Sequence, residues 1–239
     1  MMENTQGDLK RETPSEFARR VGLKFNDQLV LSRALTHRSY LNEHPEAIED
    51  NERLEFLGDA VLDFLVGSWL YNRYPELPEG NLTRLRSALV RTEQLAKFAE
   101  GIKLGSAILL GKGEAEAGGR LRPSLLCACF EALIGAIYID SDLDRVQEFI
   151  WPMLEPAASE ILIEERDKDP KSRLQEWAQS QGCGTPTYRT VASYGPDHAK
   201  VFEVQVYLNG ENMGRGVGHS KQSAAKSAAQ RALDILEVK

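Results

Sequence analysis

The apolar positions along this chain change texture twice. Between Asn51 and Tyr74 (NERLEFLGDAVLDFLVGSWLYNRY) a proline-free run places Leu54, Leu57, Val61, Leu62, Phe64 and Leu65 around most of a helical wheel. That pattern predicts a helix buried on nearly all sides, with Asp50 or Asn51 as its N-cap. A second run, Leu125 to Ile139 (LLCACFEALIGAIYI), follows the helix start Pro123-Ser124 and carries one charge, Glu131. Further on the period shortens to two. Thr187–Ser193, Val201–Leu208 and Asn212–Gly218 alternate as strands, parted by Tyr194-Gly195-Pro196-Asp197 and by Asn209-Gly210. A helix over Ser172–Ser180 precedes them and an alanine-rich helix over Ser220–Leu236 follows. Phe202, Val204, Val206, Leu233 and Leu236 read as the core of this part.

Residues 1–13 read as a loose tail. A short helix opens at Pro14-Ser15 and ends near Gly22. A second runs through Leu29, Leu31 and Leu35, and His37 reads as a cap at a helix end. Pro75 and Pro78 break the pattern before a helix with Arg84, Arg86 and Arg91 facing outward; the helical period then runs through Leu95 to Ala99. The segment 111–120 (GKGEAEAGGR) lacks phosphate-loop spacing and reads as a flexible surface loop. Helices over Leu143–Met153 and Ala157–Glu165 complete an all-α unit, and Glu164–Lys171 reads as a charged connector. The expected architecture is an all-α domain over 14–163, then a small α+β domain of order α-β-β-β-α over 169–239.

Charge sharpens this division. The net charge of −7 is uneven: residues 169–239 hold nine Lys/Arg against seven Asp/Glu, or +2, which leaves −9 before them. A content of 42% hydrophobic and 27% charged residues suits a folded chain. The three cysteines form no Cys-x-x-Cys and predict free thiols in a reducing compartment. The polar start lacks a signal-peptide core, and no apolar run is expected to reach the roughly 18 residues of a membrane span. The expected location is cytoplasmic, with no membrane partner.

The candidate chemistry lies in the two apolar helices. Glu52, Glu55, Asp59 and Asp63 fall within roughly 80° of arc on one helix face. A solvated acidic stripe is one reading. The apolarity of the rest of the helix favours another, a cluster that needs a cation. Glu131, alone in its run with no Lys or Arg beside it, is protonated, paired or metal-bound. Two acidic helices facing each other would line a site for a hard divalent cation, Mg²⁺ before Mn²⁺.

These residues resemble a known family. NERLEFLGDAVLDFLV (51–66), with ALTHRSY (34–40), PEGNLTRLRSALV (78–90) and FEALIGAIYID (130–140), is similar to bacterial ribonuclease III. DPKSRLQEW (169–177), GPDH (195–198) and GHSKQSAAKSAAQRAL (218–233) are similar to a double-stranded RNA-binding domain. The resemblance implies a homodimeric, Mg²⁺-dependent endoribonuclease of double-stranded RNA, acting in RNA maturation and decay. It would leave 5′-phosphate and 3′-hydroxyl ends. It assigns Glu55, Asp59 and Glu131 as catalytic metal ligands, with Glu52 and Glu79 as supporting carboxylates; Asp63 matches no catalytic position and reads as structural. It places Gln175, Glu176, Pro196, Asp197, His198, Ser220, Lys221 and Lys226 on the RNA, with Arg84, Arg86 and the 111–120 loop as further surface candidates. Gln222 stands where the family often has a second lysine, so salt-sensitive binding is expected.

One position departs from the family. Ala128 stands three residues before Glu131, where an Asp usually supplies another ligand. The alternative to an active enzyme is therefore a double-stranded-RNA-binding protein with an impaired nuclease site.

Overall fold

The lone-carboxylate run becomes the most buried segment among the described residues. It forms α8 (Pro123–Asp140), and from Leu125 to Ile137 only Ala128 and Glu131 are less than fully buried. Those two residues lie one turn apart, so α8 has a single opening in its apolar wrap. The computed structural model describes residues 11–47, 49–196 and 199–237. They form two compact units, divided between Ala158 and Ser159. In the first, α4 (Glu52–Arg73), α2 (Gln28–Ala34) and α6 (Thr92–Gly101) pack on α8, and α5 (Glu79–Val90) packs on α4. The short helices α1 (Pro14–Arg20), α3 (Arg38–Leu41) and α7 (Lys112–Glu116) complete its outer parts.

Three expectations need correction. With 18 residues and a mean hydropathy of 1.5, α8 does have the length and composition of a membrane span. Its burial among the helices of its own unit accounts for that apolarity. The helix α4 is not buried on nearly all sides, since Phe56 and Phe64 are exposed while Leu54, Val61, Leu62 and Leu65 are buried. The last helix of the all-α part does not break: α9 runs unbroken over Leu143–Lys168 with Pro152 and Pro156 inside it. Both prolines are exposed, so the carbonyls they leave unbonded face water. The apolar stripe Val146, Ile150, Leu154 and Ala158 continues at a spacing of four past both. The backbone of the expected connector is therefore helical to Lys168, and Asp169 then caps α10 (Pro170–Ser180).

The second unit adds the antiparallel sheet β1 (Thr187–Tyr194), β2 (Val201–Leu208) and β3 (Glu211–Gly218), in that order, and α11 (Lys221–Ile235). Asn209 and Gly210 join β2 to β3 with positive φ at both, as the turn residues predict. Val204, Val206 and Leu233 are buried as expected, and Phe202 and Leu236 pack partly buried against them. A Cβ at Gly216 would strike the backbone of α11 at Ala224 and Ala228. Glycine on β3 and alanine on α11 thus let the helix lie directly on the sheet.

Candidate active site and nucleic-acid interface

Two glycines bring the carboxylates together. A Cβ on Gly58 of α4 would fall on the Glu131 carbonyl of α8, and one on Gly135 would meet the Leu54 carbonyl. The helices therefore touch backbone to backbone, which sets Glu55 and Asp59, on either side of Gly58, beside Glu131. The electrostatics record the crowding. Burial, then the charges of Asp59 and Glu55, push the Glu131 carboxyl up to about 7, against an opposing hydrogen bond from Cys127. Burial, then the charges of Glu52, Asp59 and Asp50, raise Glu55. The charges that act on each are all negative, so the group is uncompensated.

Two half-buried carboxylates, Glu55 and Glu131, with the exposed Asp59 beside them are oxygen donors of the kind a hard divalent cation takes, and these are the residues that would hold it. Ala128 contributes no donor. Among the described residues, no three His, Cys, Asp or Glu side chains converge as a finished ligand set. The carboxylates are neighbours, not a closed cage.

Beside them opens a cleft of about 550 Å³, lined by Glu52, Glu55 and Ala128 with His37, Glu114 and Arg122. His37 is the cap the sequence suggested: its Nδ1 accepts from the Ser39 amide at 3.2 Å, which leaves the proton on Nε2. Burial, above all, holds its pKa below the usual histidine value. Glu52 pairs with Arg38 at 3.5 Å, both largely exposed. Glu79, the first residue of α5, accepts from Thr83 Oγ1 at 2.8 Å and does not line this cleft. Asp63, read as structural, faces Arg86 at 3.4 Å. Arg84 donates to Asn81 Oδ1 at 2.7 Å.

The sequence missed Glu114 and Arg122 because the 111–120 segment reads as a flexible loop. It is instead docked, forming α7 and a 3₁₀ turn over Gly119–Leu121. The Gly111 amide donates to Ser39 Oγ at 3.1 Å and the Lys112 amide to Glu43 Oε1 at 2.8 Å. Arg120 Nη1 donates to the carbonyls of Gly105 and Ile108. Arg122 then meets Glu114 Oε1 at 2.6 Å, and Gly119 leaves the space that the Glu114 side chain fills. The signal available in advance was Gly118-Gly119, read only as flexibility.

In the second unit Gln175 and Glu176 sit on exposed positions of α10, and Pro196 is exposed after β1. Asp197 and His198 lie outside the described residues. Ser220 caps α11 in a reciprocal box with Ser223, and Lys221 is exposed on its first turn. Lys226 is placed differently: its Nζ lies 2.5 Å from Asp169 Oδ2. The three cysteines are free, and Asn51 Nδ2 donates to Cys129 Sγ at 3.2 Å.

Comparison with known proteins adds the family. Residues 27–178 match the description Ribonuclease-III-like, and residues 170–236 match Double-stranded RNA binding motif. Ribonuclease 3 of Enterococcus faecalis is 45% identical over 226 residues, covering 94% of this chain and 98% of that protein. Ribonuclease 3 of Geobacillus thermodenitrificans is 45% identical over 228 residues, covering 95% and 92%. The solved nuclease domain of ribonuclease III from Campylobacter jejuni is 35% identical with a TM-score of 0.54, covering 65% of this chain and 96% of that one. A second structure of that domain, 37% identical with a TM-score of 0.54 and covering 59% and 95%, is described by flexibility in a region involved in dimer formation. The chain belongs to the ribonuclease III family, an endoribonuclease-type helical nuclease unit followed by a double-stranded RNA-binding motif.

Proposed function

We propose that this protein cuts both strands of double-stranded RNA by metal-assisted phosphodiester hydrolysis, leaving 5′-phosphate and 3′-hydroxyl ends. The carrying observation is the backbone contact of α4 with α8, which gathers Glu55, Asp59 and Glu131 without a compensating cation. Mg²⁺, or Mn²⁺ in its place, would lower the pKa of a bound water and offset phosphate charge. The protein's own part is placement. Glu55, Asp59 and Glu131 present oxygens from two rigid helices, and Glu52 and Glu79 support them from outside. Arg38 and Arg122 also line the cleft, each already paired with a carboxylate, Glu52 and Glu114. In the second unit Gln175, Glu176 and the loop at Pro196 would meet minor grooves, while Ser220 and Lys221 would hold phosphates at the N-terminus of α11.

The working form is a homodimer, in which a second copy covers exposed Phe56, Phe64 and Ile139 and one cleft serves each strand. The setting is the cytoplasm, in maturation and decay of ribosomal and messenger RNA, with no membrane partner. Ala128 supports a second reading, duplex binding with an impaired nuclease.

Cleavage of an end-labelled RNA duplex in Mg²⁺ or Mn²⁺, by this chain and by Ala128→Asp, separates the readings. Cutting by both upholds the enzyme; cutting by the variant alone assigns the impairment to Ala128. Retardation of the duplex without cutting by either defeats the nuclease reading. A monomer by light scattering defeats the dimer.

A further inference from the structure

The geometry points to Lys226 as a positioning residue that acts through Asp169 and makes no phosphate contact of its own. This rests on the RNA-binding reading above and refines it.

Asp169 uses both carboxylate oxygens. Oδ1 accepts from the amides of Lys171 at 3.0 Å and Ser172 at 3.4 Å, capping α10. Oδ2 takes the Lys226 ammonium of α11 at 2.5 Å. One side chain thus joins the start of α10, the helix of Gln175 and Glu176, to α11, the helix of Ser220 and Lys221. A second brace lies alongside: Lys171 Nζ stands 4.7 Å from the Tyr188 ring centroid on β1. Burial alone would raise the Asp169 carboxyl; the Lys226 ammonium and the two amides together hold it below the usual carboxylate value.

The pair fixes the register between the two helices that must meet one duplex at separate grooves. Its side chains are 44% and 23% exposed, so the contact is partly withdrawn from solvent. An ammonium already held by a carboxylate offers no net charge to a phosphate. It therefore adds little to the counterions released on binding, which the salt dependence of affinity counts. Lys221 has no such carboxylate on the described residues' ion pairs.

The test is fluorescence anisotropy of a labelled RNA duplex with the full chain, without divalent metal so that nothing is cut, across a range of KCl. Lys221→Gln is expected to reduce the slope of log affinity against log salt by about one. Lys226→Met is expected to leave that slope unchanged and to lower affinity by no more than about fivefold, the range a half-exposed ion pair supports. Asp169→Asn should lower affinity in the same direction, and the double variant should lose no more than the larger single loss. A slope reduced equally by Lys226→Met and Lys221→Gln overturns the proposal, as does tighter binding by Asp169→Asn. If wild type binds no duplex at any salt, the RNA-binding reading itself falls. Faster amide exchange at Lys171 and Ser172 in Lys226→Met would still support the clamp, and unchanged exchange would remove it.

Discussion

Two helix contacts in this protein are built alike and end differently. In the first unit α4 meets α8 through Gly58 and Gly135; in the second α11 meets β3 through Gly216 and alanines. Both let backbones touch by removing side chains. What stands beside the contact differs. Next to Gly58 the carboxylates Glu55, Asp59 and Glu131 crowd with only negative charge acting on one another. In the second unit two such acids have a cation: Asp169 has Lys226 of α11, and the buried Glu203, on the sheet face away from α11, has Arg215 Nη2 at 2.5 Å with the Tyr194 hydroxyl nearby. Neutralised charge is holding a fold together. Charge left uncompensated on rigid helices marks a place for something the chain does not supply.

The comparison breaks most visibly at Glu131. Glu131→Gln should reduce duplex cleavage on the order of a thousandfold, the worth of several kcal/mol of transition-state charge stabilisation, and leave duplex binding unchanged. Steady-state cleavage beside anisotropy checks this; equal loss of both would make Glu131 merely structural. Next is Gly58→Val, which forces a side chain into the α8 backbone. A loss of about 3 kcal/mol of stability is expected by urea unfolding. Gly216→Ala should cost a comparable amount in the second unit while leaving the first unit's unfolding step in place.

A pH series sharpens the contrast. Glu131 is raised to about 7 in the folded state, so the folded state prefers its neutral form. The metal-free protein should then lose stability as pH climbs from about 4.5 through 7. Glu131→Gln should raise the Tm at pH 8 and leave it unchanged at pH 4. A uniform shift at both would mean that packing, not charge, is responsible. Arg215→Met should cost roughly 3 kcal/mol, because it strips the cation from a carboxylate whose side chain is only 7% exposed. No measurable loss in urea unfolding would show that this pair does not hold the sheet.

Much of the site was legible from local pattern. A lone carboxylate in an apolar run and acids at steps of three and four announce themselves, while the Arg86 that faces Asp63 comes from another helix. The joint itself was not legible. Gly58 and Gly135 acquire meaning only when two distant helices meet, and nothing local separates them from indifferent glycines. Pro152 and Pro156 signalled a break, yet both face water and the apolar stripe beneath them continues. Glu114 was hidden because the hydrogen bonds that dock its segment come from Ser39 and Glu43, far off in sequence. Lys226 read as an RNA contact by its neighbours in sequence, and its partner sits on another helix.

The most direct measurement is equilibrium Mn²⁺ binding, followed by the loss of the free-ion paramagnetic signal, on the metal-free full chain. The account predicts saturable binding that disappears in Glu131→Gln and tightens by roughly tenfold or more in Ala128→Asp, the scale on which groups at a metal site set affinity. Binding by Glu131→Gln equal to that of the unaltered chain would contradict it, and would mean that the carboxylates gathered at Gly58 are not a cation site.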